Sequence, residues 1–284
     1  MEIVRSEEMG FCFGVRRAIN IILEAVRERG QLESLGAIVH NRQVIEDLAK
    51  HGVRVVDSLD QVKGNAVAIT SHGVSPALIS EMKDRGLTII DTTCPFVRKA
   101  QTAARSLANS GFSVVVFGDV DHPEVQGVLG WAGEKGVAML DWRKDTYREK
   151  TGRRIGVLSQ TTQSPEQFTQ FLRSILDGSI DDISQIRIIN TICGATVKRQ
   201  TAAMRLAKEV DLVLVIGGRN SANTRHLAEV CSAAGVETHH IESEGEIEPA
   251  WLEGRSRVGV TAGASTPGTT IDRVIHRLEE LAQS

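Results

Sequence analysis

The sequence predicts an α/β protein assembled from three small, related α/β units. Short apolar runs alternate with stretches of helical period, the pattern of βαβ units. Two of those runs, Val114–Gly118 (VVVFG) and Leu212–Gly217 (LVLVIG), are continuous and end in glycine, as suits strands buried on both faces of a parallel sheet. Cys12, Cys94 and Cys193 each stand where a short run ends and a helix begins, in GFCFGV, DTTCPFV and NTICGAT.

Along the chain, Val15, Ala18, Ile19, Ile22, Leu23 and Val26 fall at three- and four-residue steps and give one apolar helical face. Ala66–Thr70, Leu87–Asp91, Ile155–Ser159 and Ile186–Asn190 read as strands of the same kind as the two glycine-ended runs. Leu206, Val210 and the alanines before them repeat a weaker helical face, and another helix is read over Ala222–Ala234. Trp142–Arg154 (WRKDTYREKTGRR) is charged and unpatterned, and reads as a solvated loop.

The spacing behind the cysteines is the stronger signal. A glycine follows each by 24 residues (Gly36, Gly118, Gly217), and a polar residue by 28 (His40, His122, Ser221). A helical pattern comes next each time: NRQVIEDL, PEVQGVL and ANTRHLAEV. Each unit then carries a second polar turn after a later strand: Ser71-His72-Gly73, Ser159-Gln160-Thr161-Thr162 and Thr261-Ala262-Gly263-Ala264-Ser265. Periods of 82 and 99 residues are too long for a solenoid and suit domains over 1–93, 94–192 and 193–284. Ligands of open α/β sheets collect beyond the carboxyl ends of strands, where all these residues lie. Units facing one another around a pseudo-threefold axis would bring the three cysteines to one centre, ringed by the polar turns.

The bulk properties narrow the classes. The chain has 284 residues, 41% hydrophobic and 24% charged, which is ordinary for a globular protein with a substantial core. A net charge of −3 and an aromatic content of 4% argue against a nucleic-acid partner. The first residues lack the apolar segment of a signal peptide, and no run has the length of a membrane span, so a cytoplasmic protein with no membrane partner is expected. Four cysteines in such a compartment read as free, metal-bound or catalytic.

No C-x₂-C pair of a structural zinc site is present. Ligands spaced about 80–100 residues apart need a fold to gather them, and three thiolates are one short of a closed cysteine site for a 4Fe–4S cluster. Such a cluster leaves one iron open, able to act as a Lewis acid on a substrate oxygen while the cluster passes electrons. A helix start just after each cysteine favours the thiolate. Cys231, on an apolar helical pattern, reads as a small core residue.

Two further themes surround the cysteines. His40, His72, Ser221, Asn223 and Ser265 lie in or beside helix-start turns; singly each is an ordinary cap, but together they read as an anion site. In His122-Pro123-Glu124, a carboxyl in a partly dry pocket can hold and donate a proton, with His122 as relay and Thr161 orienting a hydroxyl group or water. No G-x-G-x-x-G follows a strand, so a bound hydride cofactor is not expected.

In GFCFGV, the HN of VHNRQV, SHGV, DTTCPFV, GDVDHPE, SQTT, ICGAT, RNSAN and TAGAS, taken in order over nearly the whole chain, the sequence resembles the LytB/IspH family. These are the 4-hydroxy-3-methylbut-2-enyl diphosphate reductases of the non-mevalonate isoprenoid pathway. The resemblance implies a trefoil of three α/β domains around a central iron–sulfur cluster. It implies reductive removal of an allylic hydroxyl group as water, with two electrons from a donor such as ferredoxin or flavodoxin. By the same resemblance, Cys12, Cys94 and Cys193 are the cluster ligands and Glu124 is the proton donor. His122 and Thr161 stand near the substrate hydroxyl group, and His40, His72, Ser221, Asn223 and Ser265 bind the diphosphate. Thr162 and Thr196 take supporting roles. One departure is visible: Ser221-Ala222-Asn223 has alanine where many members have a second serine. A lost hydrogen bond to a charged group is worth about 1.5–3 kcal/mol, enough to change affinity rather than reaction. The alternatives are a non-enzymatic iron–sulfur sensor, a zinc hydrolase and a metal-free sugar-phosphate binder. The sensor would use the three cysteines without needing the HPE and SQTT turns or the five phosphate-type groups, and the other two would be colourless.

Overall fold

The computed structural model describes residues 1–143 and 152–283, apart from the side chain of Ser179. Its elements in order are β1 (Glu2–Arg5), α1 (Phe13–Arg29), β2 (Leu32–Leu35), α2 (Arg42–Lys50), β3 (Val53–Val56), β4 (Ala66–Ile69), α3 (Pro76–Asp84) and β5 (Thr88–Asp91). There follow α4 (Pro95–Asn109), β6 (Ser113–Phe117), α5 (Pro123–Ala132), β7 (Gly136–Met139), β8 (Arg154–Ser159), α6 (Pro165–Ser179) and β9 (Gln185–Ile189). The chain ends with α7 (Gly194–Ala207), β10 (Leu212–Ile216), α8 (Ala222–Ala233), β11 (Glu237–Ile241), β12 (Arg257–Ala262) and α9 (Gly268–Gln283). Short 3₁₀ turns fill several connections.

Among the described residues the strands form three four-stranded sheets, β3-β2-β4-β5, β7-β6-β8-β9 and β11-β10-β12-β1, and every pairing is parallel. All three have one topology. The first strand of the unit lies inside, the second beside it at one edge, the third on its other side, and the fourth at the far edge. The fourth strand is β5, β9 or β1, and each leads into a cysteine: Cys94, Cys193 and Cys12. The third sheet therefore takes its last strand from the beginning of the chain, with Glu2–Arg5 in register with Arg257–Val260.

The glycine-ended runs behave as their composition predicts. Leu212, Leu214 and Ile216 of β10 pack with Val258 and Val260 of β12 and with Ile271, Val274 and Leu278 of α9. Val213 and Val215 point the other way, onto Ala203 and Leu206 of α7 and Leu227 and Cys231 of α8. Strand β6 is covered likewise, Val114 and Val116 by α4 and α5, Val115 and Phe117 by Phe168, Phe171 and Ile175 of α6. Leu214→Ala, at a side chain wholly removed from solvent, is expected to cost about 2–5 kcal/mol, read as a lowered denaturant midpoint.

Two expectations are corrected. Leu87–Asp91 and Ile186–Asn190 form β5 and β9, but these are edge strands open on one side, and Ile188 is 47% exposed. Trp142, placed in a solvated loop by its charged neighbours, is among the most buried large side chains and packs with Phe168 and Phe171. Residues 144–151 of that stretch lie outside the described residues.

By its contacts the chain forms two compact bodies. One holds Met1–Arg16, Val39–Leu48 and Gly194–Ser284, with the sheet that includes β1. The other holds Arg17–Ile38 and Ala49–Cys193, with the remaining two sheets.

Candidate active-site residues

Each of the three cysteines immediately precedes a helix: Cys12 before α1, Cys94 before α4 and Cys193 before α7. Pro95 occupies the first position of α4, where its missing N–H costs nothing. The amide of Val15 points at the Cys12 sulfur, 3.5 Å away. The backbone of all three cysteines is held in the same manner. The amides of Cys94, Cys193 and Cys12 each donate, over 3.0 Å, to the carbonyl of Ser71, Thr161 and Ala264 respectively. Those carbonyls belong to the second polar turns. No reading of side chains could find this bond, because backbone makes it. Cys94 and the other two are partly exposed, whereas Cys231 is buried, its thiol pushed up to about 12 by loss of water.

In the second body, α5 carries the acid. Pro123 starts the helix after His122, whose Nδ1 accepts the amide of Glu124 (3.1 Å). A neutral His122 therefore has its proton on Nε2. The Glu124 side chain is only 2% exposed. Its carboxyl accepts from the amide (2.7 Å) and the hydroxyl group (2.8 Å) of Thr161. Burial pushes the Glu124 carboxyl up to about 7, and the two bonds from Thr161 restrain the rise. Thr161 thus joins the acid on one side to the Cys193 amide on the other. Gly118 lets the neighbouring turns close: a Cβ there would stand 2.8 Å from Gln160 and 2.9 Å from Val125. Gln160, whose role no local sequence pattern signals, accepts from the Asp119 amide (3.1 Å) and so fixes the turn before His122. His72 meets His122 edge-on, ring centroids 5.4 Å apart at 89°.

In the first body, Ser221 caps α8 by accepting from the Thr224 amide (3.3 Å). Asn223 lies within the first turn of α8, and its Oδ1 accepts from the Ala264 amide (2.8 Å). Ala264 also accepts the Cys12 amide at its carbonyl, so one residue, through its N–H and its C=O, ties Asn223 to Cys12. The hydroxyl group of Ser265 donates to the His40 carbonyl (3.2 Å). Burial, with the Arg225 charge second, holds the His40 imidazole below its usual range and favours the neutral ring. Gly217, at φ +148°, allows a close approach that Thr224 and Thr266 would deny a side chain.

Thus the first body brings together Cys12, His40, Ser221, Asn223 and Ser265, and the second holds Cys94, Cys193, His72, His122, Glu124 and Thr161. The family model described as "LytB protein" matches residues 3–279. The chain belongs to the LytB family. It is 50% identical over 282 residues to the 4-hydroxy-3-methylbut-2-enyl diphosphate reductase of Dehalococcoides mccartyi strain CBDB1, covering 99% of both chains. It is 45% identical over 280 residues to the protein of the same name in Geobacter sulfurreducens, covering 99% and 98%. A solved (E)-4-hydroxy-3-methyl-but-2-enyl diphosphate reductase, described as the terminal enzyme of the non-mevalonate pathway, aligns with a TM-score of 0.70 at 37% identity over 99% of this chain and 100% of that one. The fold is also that of the E-1-hydroxy-2-methyl-but-2-enyl-4-diphosphate reductase of Plasmodium falciparum, with a TM-score of 0.89 at 24% identity over 97% and 87%.

LytB proteins are iron–sulfur enzymes. The donor set in this member suits that chemistry. Its three partly exposed cysteines, each directly before a helix, offer soft sulfur ligands of the kind that holds iron–sulfur clusters. No helix among the described residues is long and apolar enough to cross a membrane.

Proposed function

We propose that this chain reduces 4-hydroxy-3-methylbut-2-enyl diphosphate to isopentenyl and dimethylallyl diphosphate, in the cytoplasm, as the last step of the non-mevalonate isoprenoid pathway. The observation that carries the reading is the acid: a buried Glu124, protonated near neutrality, gripped by Thr161 on the turn that also holds the Cys193 amide. The reaction removes an allylic hydroxyl group as water and consumes two electrons and two protons, one proton going to the leaving oxygen and the other forming the new C–H bond.

Cys12, Cys94 and Cys193 would hold a 4Fe–4S cluster, which would supply electrons and Lewis-acid character for loss of the allylic oxygen. The remaining work belongs to the polypeptide. His40, His72, Ser221, Asn223 and Ser265 grip the diphosphate, and this remote binding positions the reacting end. The Ala222 departure leaves one phosphate bond to the backbone amide at the start of α8. Glu124 delivers its proton to the leaving oxygen. Thr161 orients the Glu124 carboxyl, and His122 relays the replacement proton through Nε2. The electrons come from a small external carrier such as ferredoxin or flavodoxin.

The test is an anaerobic assay of the purified protein with a reduced electron donor, joined to Mössbauer spectroscopy with and without substrate. Expected are substrate-dependent oxidation of the donor and a change at one iron on binding. A cluster without turnover would instead make the chain a sensor. Zinc in a colourless preparation would make it a hydrolase.

A further inference from the structure

The helix behind one cysteine reaches the loop in front of another. Arg17 on α1, five residues beyond Cys12, donates from Nη1 to the carbonyl of Thr93 (3.2 Å), the residue before Cys94. Arg199 on α7, six residues beyond Cys193, donates from Nη2 to the carbonyl of Gly10 (2.8 Å), two residues before Cys12. Its Nη1 turns back to the Ala195 carbonyl (3.2 Å), which directs the guanidinium toward the start of α7.

Arg199 is unusual for a buried residue. It is 4% exposed, and its Nε is buried without an acceptor. Among the described residues no carboxylate pairs with it; both of its bonds go to neutral carbonyls. Arginine does not shed its proton in proteins, so this is a buried, permanent charge. A buried cation without a counter-ion is costly, and its persistence points to an anion that completes the site.

The other two units carry no charge at the matching position. Gln200-Thr201-Ala202-Ala203 repeats Gln101-Thr102-Ala103-Ala104 at the 99-residue spacing of Cys193 and Cys94. In that register Arg199 corresponds to Ala100, and 82 residues earlier to Ala18. Both alanines are 0% exposed. Where two units place a methyl group in the core, the third places a guanidinium.

We infer that Arg199 is a positioning residue of the iron–sulfur centre, latching the Gly10–Cys12 loop and setting a fixed positive charge against the negative charge of the thiolate-bound cluster. A cation there favours the reduced, more negative state, so it raises the reduction potential as well as seating Cys12. The inference rests on the reading of Cys12 as a cluster ligand.

The experiment compares wild type, Arg199→Lys and Arg199→Met, each purified anaerobically as holoenzyme. Iron and sulfide per chain are measured, and the midpoint potential is followed by EPR. Arg199→Met is expected to lose iron and to shift the potential of its remaining cluster to more negative values. Arg199→Lys keeps the charge but loses the two-pronged grip, so it retains the wild-type potential with partial loss of iron. Complete cluster loss from Arg199→Met with retention in Arg199→Lys gives the same result in stronger form. Wild-type potential and iron content in Arg199→Met would overturn the inference, as would an equal potential shift in both variants. A wild-type protein devoid of iron would overturn the functional reading itself, a result separate from any difference among the variants.

Discussion

Glu124→Gln is expected to keep the visible absorbance of the cluster and to lower turnover by about 10²- to 10⁴-fold, the usual contribution of a positioned general acid. The substitution preserves shape. It leaves one carbonyl oxygen to receive Thr161 where the carboxylate offered two, and the Thr161 hydroxyl group can rotate to accept from the new amide. Packing is therefore retained while the transferable proton is not. The pH profile is a second signature. With the carboxyl pushed up to about 7, the wild-type protein holds the donor form below that pH and loses it above, so turnover falls as pH rises through about 7. Glu124→Gln has no such limb. Stability follows the same sign. The raised carboxyl contributes below its unfolded value of about 4.3 and loses that contribution as pH rises through about 7. Near-normal turnover in Glu124→Gln would remove Glu124 as the acid.

Cys94→Ser is expected to lose or damage the cluster, whereas Cys231→Ser keeps it. The pair is informative because the fold tolerates the first change. Cys94 is the residue before α4, a position that serine fills well as a helix cap, and the hydrogen bond from its amide to the Ser71 carbonyl does not involve the side chain. A loss of iron from Cys94→Ser therefore reports ligation, not unfolding. Cys231 sits among Ala203, Leu206 and Leu227, with its sulfur 3.9 Å from the Ala203 carbonyl. A hydroxyl group there weakens an apolar contact and leaves iron content unchanged. Iron and sulfide analysis of both variants decides the matter; two intact clusters would show that Cys94 is not a ligand.

What the sequence made legible follows from how each feature is encoded. β6 and β10 are buried on both faces and so consist of uninterrupted apolar residues, which a scan finds directly. β2 (LESL) escapes it, because Glu33 carries a charge inside a buried strand. That charge is satisfied by Arg54 and by the amides of Lys63 (2.8 Å) and Gly64 (2.9 Å), partners distant in sequence. The edge strands β5 and β9 look apolar enough to be central, since composition does not reveal how many neighbours a strand has. Among the candidate site residues, types and offsets marked Glu124 and Thr161 separately. Their direct bond depends on β8 ending beside β6, which no local pattern contains. Arg199 carries no such mark, because a charged residue on a helix normally belongs to the wet face.

The place of β1 bears on the order of synthesis. Glu2–Arg5 has no sheet partner until Arg257–Val260 has left the ribosome, and Arg257 is 255 residues from the Glu2 side chain that it binds. The amide of Cys12 waits likewise for Ala264. Ser71 and Thr161, by contrast, emerge before the cysteines they hold. Contacts of such long separation are slow to form, so the first cysteine translated is the last to be seated. A chain cut short before its final sheet strand could carry all three thiols and still have nowhere to put the first of them.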